Sequence, residues 1–142
     1  MSHFIVIGLN AERYALSIEE IQEIIKVQPI TAVPCDKSFV KGVINLRGKI
    51  VPVIGLGARF GVPEAPENSQ ARIVIVSTEE EDIGISVDSV EQVAVFEEIM
   101  PPATDNAAVA NRGFLSGIGR LGGRLVSILD LKAVLGLRGE LH

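Results

Sequence analysis

The chain repeats itself, and the repeat limits what it can fold into. Residues 42–56 read Gly-Val-Ile-Asn-Leu-Arg-Gly-Lys-Ile-Val-Pro-Val-Ile-Gly-Leu, and residues 117–131 read Gly-Ile-Gly-Arg-Leu-Gly-Gly-Arg-Leu-Val-Ser-Ile-Leu-Asp-Leu. Gly42/Gly117, Leu46/Leu121, Gly48/Gly123, Val51/Val126 and Leu56/Leu131 are identical at an offset of 75, and most other positions exchange one aliphatic for another. Residues 17–24 and 86–93 share a second pattern at an offset of 69. Self-similarity of this kind implies two copies of one folding unit. The positions at which the copies differ are where function is to be sought.

Across 142 residues, 47% hydrophobic content with only 4% aromatic fills a core with Val, Ile and Leu, a composition that favours strands. A net charge of −5 argues against a nucleic-acid partner, which usually meets a basic face. The uncharged run Ile50–Ala58 is about half of the roughly 20 residues a membrane helix needs, so no membrane insertion is expected. Ser2 and His3 lead straight into a strand-like run, so no secretory signal is expected. One cysteine, Cys35, cannot close an internal disulfide and fits a reducing compartment, so a cytoplasmic location is expected.

Residues 4–9 form a continuous apolar run that reads as a buried strand, followed by a turn at Asn10-Ala11-Glu12 and a strand over 13–16. Ser17-x-x-Glu20 has the form of a capping box, and Ile18, Ile21, Ile24 and Ile25 follow at helical spacing, predicting one or two helical turns. Segments 39–46 and 49–54 flank Arg47-Gly48 as antiparallel strands around a tight turn. A short helix is expected within 56–60, a linker over 62–70, strands over 72–77 and 83–87, and a last helix over 130–135. Many short strands with brief helical turns are the pattern of small β-barrels, and two such units would pack together. The expected limits are about 14–70 and 72–136 for the two subdomains of a single domain spanning 1–142, with strand 4–9 assigned to the second barrel.

Catalytic groups are sparse. His3 and His142 stand at opposite termini, Cys35 has no neighbouring histidine, and metal-ligand spacing is absent, so no enzyme, cofactor or metal is expected. Glu79–Asp82 reads as a solvated hairpin tip. Gly117-Ile118-Gly119-Arg120-Leu121-Gly122 matches the dinucleotide fingerprint, but a strand pattern follows it where a helix is required. A nucleotide-binding or other small-molecule-binding regulatory barrel is the alternative that draws on this motif.

What remains is surface for partners. Arg47 faces Gly122 in the other copy, so the turn does not demand arginine there. Its guanidinium can bond a partner's acceptors in a fixed fork, and an exposed arginine aiding solubility accounts for the same residue. Glu23 is placed on the polar side of the first helical turn, where it is either a contact or an ordinary solvated carboxylate. Val43, Leu46, Val90 and Val93 are by base rate more often core than interface.

Residues 13–16, 21–25 and 39–53, with Asn45-Leu46-Arg47-Gly48 at their centre, together with 84–90 and 125–135, resemble the CheW family of chemotaxis coupling proteins. The resemblance implies a mainly β fold of two SH3-like five-stranded barrels with short helices. It implies a non-enzymatic scaffold that couples methyl-accepting receptors to the CheA histidine kinase. One surface would bind the kinase's regulatory domain, and a groove between the barrels would take the receptor's hairpin tip. Carried onto this chain, the resemblance puts Arg47 and Glu23 at partner contacts, and Ile21, Gly42, Val43, Leu46, Val90 and Val93 along or beside the receptor groove. The family commonly has Asp-Leu where this chain has Gly55-Leu56, which puts the helix cap there in question.

Overall fold

Strands buried on both faces read as unbroken apolar runs, and two such strands organise this protein. They are β1 (Phe4–Leu9), buried along its whole length, and β6 (Arg72–Ser77), buried from Ile73 to Val76. In the computed structural model, residues 2–35, 37–62, 68–102 and 113–135 are described. The other strands are β2 (Glu12–Ser17), β3 (Ile21–Lys26), β4 (Val40–Leu46), β5 (Lys49–Gly55), β7 (Asp82–Val87), β8 (Ser89–Ala94), β9 (Glu98–Met100), β10 (Leu115–Leu121) and β11 (Arg124–Leu129). Two short helices, α1 (Leu56–Phe60) and α2 (Leu131–Leu135), follow β5 and β11.

The strands form a five-stranded sheet in the order β3-β6-β7-β5-β4 and a six-stranded sheet in the order β8-β1-β2-β11-β10-β9. Element by element these are the same unit. The offset of 75 carries β4 onto β10, β5 onto β11 and α1 onto α2, and the parallel β5/β7 pair recurs as β11/β2. Each sheet is closed by the chain that leaves its edge strand. Beyond β3 the backbone bridges β4 at Thr31↔Val43, and beyond β8 it enters β9, which meets β10 at Ile118↔Met100. Closure removes the open edges that invite aggregation.

The subdomain limits expected from the sequence, 14–70 and 72–136, do not follow the sheets. β6 and β7 belong with β3–β5, while the N-terminal hairpin β1–β2 completes the second barrel and occupies the place that β6–β7 fill in the first. β1 reaches β8 across Phe4↔Ala94, Ile5↔Val93 and Ile7↔Val90. The second barrel is therefore built from both ends of the described chain.

Three apolar clusters result. Ile44, Val51, Val53, Ile73 and Ile75 fill the first barrel, and Phe4, Ala15, Phe96, Val126 and Ile128 fill the second. The largest cluster lies between the barrels and draws Ile5, Ile7 and Leu16 from one, Ile54, Val74 and Ile85 from the other, and Leu56, Phe60, Leu131 and Leu135 from the helices. β6 serves two cores, with Ile73 and Ile75 facing its own barrel and Val74 and Val76 facing the junction.

One local expectation needs correction. The isoleucines after Ser17 make one 3-10 turn over Ile18–Glu20, Ser17 gives no side-chain cap, and residues 21–26 are strand β3. Ile21, Glu23 and Ile25 lie half-buried while Gln22, Ile24 and Lys26 are exposed, a period of two rather than 3.6. Helix α1, by contrast, forms without the aspartate: Gly55 occupies the N-cap position with no side-chain bond, and Gly61 ends the helix in the left-handed conformation at φ 75°. Asp130 does cap α2, its Oδ1 accepting the Ala133 N–H at 3.3 Å.

Candidate functional site: the β4–β5 hairpin tip and its carboxylate partner

The tip of the β4–β5 hairpin is a two-residue turn in which Arg47 has φ 53° and Gly48 φ 83°. Two positive φ values mark the type I′ geometry whose twist suits an antiparallel pair. The Asn45 side chain accepts the Gly48 N–H at 2.9 Å and holds the turn. In the other unit the same turn is Gly122 at φ 56° and Gly123 at φ 79°. Glycine takes this conformation freely, whereas an L side chain there costs about 1 kcal/mol or more. Arginine at 47 thus stands against the preference of its own backbone.

Its guanidinium is anchored. Arg47 Nη2 donates to Glu23 Oε2, bringing together two residues 24 apart in sequence. Glu23 reaches the tip from β3, next to a register shift between Ile21 and Glu23, and not from the helical turn expected for it. The pair is mostly open to water on the arginine side, so its own contribution to stability is about 0–1 kcal/mol. Neither turn geometry nor ion pairing accounts for Arg47 as a stabilising residue.

The remaining expected site residues fall into three settings. Leu46 is half-buried against the interior of the first barrel, and Val43 pairs with Pro52 and bridges Thr31. Ile21 and Val90, equivalent in the repeat, both pack at the margin of the inter-barrel core. Val93, on β8 of the other sheet, is 54% exposed. Gly42 is different in kind. It is buried at φ 146°, and a Cβ there would lie 2.1 Å from the Thr31 carbonyl oxygen. Its task is to let the 27–35 segment cross β4, where Thr31 and Val43 exchange two backbone hydrogen bonds of 2.9 Å.

The dinucleotide match resolves into hairpin. Gly117 and Gly119 lie within β10, Gly122 and Gly123 form the turn, and β11 follows. Gly119 leaves room for the Phe96 ring, whose nearest atom is 2.4 Å from where a Cβ would stand. Among the described residues no group of three or more His, Cys, Asp or Glu is placed to hold a metal ion, and no helix is long and apolar enough to cross a membrane.

A site the sequence did not reveal lies between the barrels. Glu20, Val76, Thr78, Leu131, Lys132 and Leu135 line a cavity of about 310 Å³ between the 3-10 turn, the β6–β7 tip and α2. Glu20 is exposed, yet partial loss of water at the cavity rim, then the charges of Asp130 and Glu19, raise its carboxyl above the ordinary value, against the opposing pull of Lys132. A raised carboxyl gives stability at low pH that is lost as pH rises through the folded-state value. Glu20→Gln is therefore expected to make the protein more stable than the parent at neutral pH and to narrow the difference toward pH 4, read from thermal melts across that range.

Asp82 behaves oppositely. The Lys49 ammonium, donating to Asp82 Oδ2 at 3.1 Å, holds its carboxyl below the usual range, helped by the Ser77 hydroxyl. Its stability is present at neutral pH and lost on acidification. In a Lys49→Met protein the Asp82 carboxyl is expected to titrate at a higher pH, nearer its ordinary range, as followed by NMR, leaving less stability to be lost on acidification.

Comparison with known proteins agrees with this architecture. The family model described as CheW-like domain matches residues 3–138. The chain is similar to chemotaxis protein CheW of Klebsiella aerogenes, at 31% identity over 133 residues covering 93% of this chain and 80% of that one. It is similar to chemotaxis protein CheW of Bacillus subtilis at 33% identity over 132 residues, 92% of this chain and 85% of that one. Among solved structures it resembles the scaffolding protein TtCheW from Thermoanaerobacter tengcongensis with a TM-score of 0.82 and 34% identity, over 92% of this chain and 84% of that one. With the family model spanning both barrels and relatives matched over most of their length, the chain belongs to the CheW-like domain family.

Proposed function

We propose that this protein is a non-enzymatic chemotaxis coupling scaffold that joins methyl-accepting receptors to a CheA-type histidine kinase, and that the β4–β5 tip is its receptor contact. The general role accords with the CheW relatives and the scaffolding protein of the same fold. One observation carries the assignment to the tip. Arg47 occupies a left-handed position where the other unit has glycine, and Glu23 holds its guanidinium in place. A residue that strains its own backbone and contributes little to stability points to a contact with a partner.

The fork has N–H donors beyond the one given to Glu23, which suits the carbonyls and side-chain acceptors of a helical hairpin tip. Ile21, Val43 and Leu46 on the first barrel, with Val90 and Val93 on the second, supply the apolar part of this contact, and Gly42 shapes it. The kinase's regulatory domain takes a separate surface. The cytoplasmic placement follows from these partners, both of which act on that side of the membrane.

Coupling is then geometric: the scaffold holds receptor and kinase in one array, so that a shift in the receptor biases the kinase. Two binding assays check the reading. The protein should be captured by an immobilised CheA regulatory domain, and Arg47→Glu should lose at least about tenfold in receptor-fragment affinity, the scale of removing a hot-spot contact. Full receptor affinity in the Arg47→Glu protein would return Arg47 to the solvated surface.

A further inference from the structure

Among the described residues of the inter-barrel junction, Arg59 breaks the repeat symmetry while touching aromatic rings of both units. Arg59 of α1 stands at the repeat position of Val134 in α2, and its guanidinium lies over Phe39 at 4.4 Å and over Phe114 at 4.9 Å. Phe39 and Phe114 are themselves equivalent at the offset of 75, and each uses its carbonyl in the same way, accepting Gly55 N–H at 2.8 Å and Asp130 N–H at 2.7 Å. A side chain that touches both members of an equivalent pair sits where the two units meet. Only one copy can place a group there.

Arg59 also bonds across the junction, Nε donating to the Val134 carbonyl at 2.8 Å and Nη2 to the Ala133 carbonyl at 3.1 Å. These carbonyls belong to the last described turn of α2. The buried cluster around it is aliphatic and aromatic packing, which is strong but largely non-directional. The planar guanidinium is directional: two donors fixed in one fork, and a face set against two rings. We propose that Arg59 is a positioning residue, a latch that fixes the orientation of one barrel relative to the other. Resting on the reading above, it thereby fixes the spacing between the Arg47–Glu23 tip on the first barrel and Val93 on the second.

The test uses the full chain with spin labels at Lys26→Cys in β3 and Arg124→Cys in β11, both exposed, in a Cys35→Ser background. Electron–electron resonance on the parent should give one narrow inter-barrel distance. Arg59→Met retains the apolar stem and removes the fork, and it should broaden that distribution about twofold, as expected for barrels left free to shift against each other. Amide exchange within β4–β5 and β10–β11 should stay at parent levels, which a general loss of fold would not allow. Arg59→Lys, with a point charge in place of a fork, should give an intermediate width. An unchanged mean and width in the folded Met variant would overturn the latch, and if that variant fails to fold, a parent-like width in Arg59→Lys would do so. The measurement is made without partners, so its failure is separate from any failure of receptor or kinase binding.

Discussion

Replacing Gly42 with alanine is expected to cost about 3–5 kcal/mol, the sum of overpacking and of strain at a backbone angle that side chains rarely adopt. The added Cβ would stand 2.1 Å from the Thr31 carbonyl oxygen and 2.8 Å from its carbon, both rigid backbone atoms that cannot rotate away. Relief requires the 27–35 segment to lift from β4, breaking the paired Thr31–Val43 hydrogen bonds that close the first barrel. Against a typical total of about 5–15 kcal/mol this is a large fraction. Chemical denaturation should show the loss, and Thr31 and Val43 amides should lose exchange protection before those of β6. A receptor-binding defect of a Gly42 variant is therefore expected to accompany the loss of barrel closure.

Arg47→Gly is expected to separate function from stability in the opposite sense. Glycine relieves the left-handed backbone by about 1 kcal/mol, and the exposed ion pair with Glu23 gives back about 0–1 kcal/mol at most. The variant should therefore melt at or slightly above the parent temperature while losing receptor recruitment. Arg47→Glu goes further at the surface, because it sets two carboxylates against each other where a pair stood. Glu23→Gln should fall between, keeping the arginine but releasing its orientation. A stability loss in Arg47→Gly would mean that the tip is held by interactions other than those described.

Much of the architecture is legible in the sequence because its signals are local. The hairpins at 40–55 and 115–129 announce themselves by two turn residues between apolar strands, and the offset of 75 aligns them. Helix α1 forms even without a capping aspartate because Leu56 and Phe60 are buried in the junction, and packing outweighs a cap of a few tenths of a kcal/mol. What escaped is non-local. Strand 4–9 already reads as part of the second barrel, but β2 accompanies it there and β6–β7 join the first sheet, pairings that contiguous limits do not anticipate. The signal was present in β1 and β6, both unbroken apolar runs ahead of the patterns at 17–24 and 86–93.

The isoleucines at 18, 21, 24 and 25 fit a helical stripe by spacing alone. Ile18 and Ile24 are exposed, 38% and 37%, so the stripe that suggested a helix never faces one core. β-branched residues pairing with β6 decide the matter in favour of strand. At the candidate site, Arg47 could be singled out from the repeat, since Gly122 stands opposite, but its bond to Glu23 depends on β3 lying next to the tip. Gly42 shows a second limit, because sequence comparison marks it as notable without distinguishing a contact from a crossing point. Arg59 was within reach of the repeat as well: extending the alignment beyond Leu56 pairs it with Val134 and brings Phe39 opposite Phe114.

The central claim is that one small chain bridges two partners. Beads carrying a CheA regulatory domain, incubated with a soluble receptor fragment that includes the hairpin tip, test it directly. The receptor fragment should be retained only when this protein is added, and Arg47→Glu should abolish its retention while the variant itself stays on the beads. Equal receptor retention with and without the protein, or no binding of the protein to the kinase domain, would contradict the account.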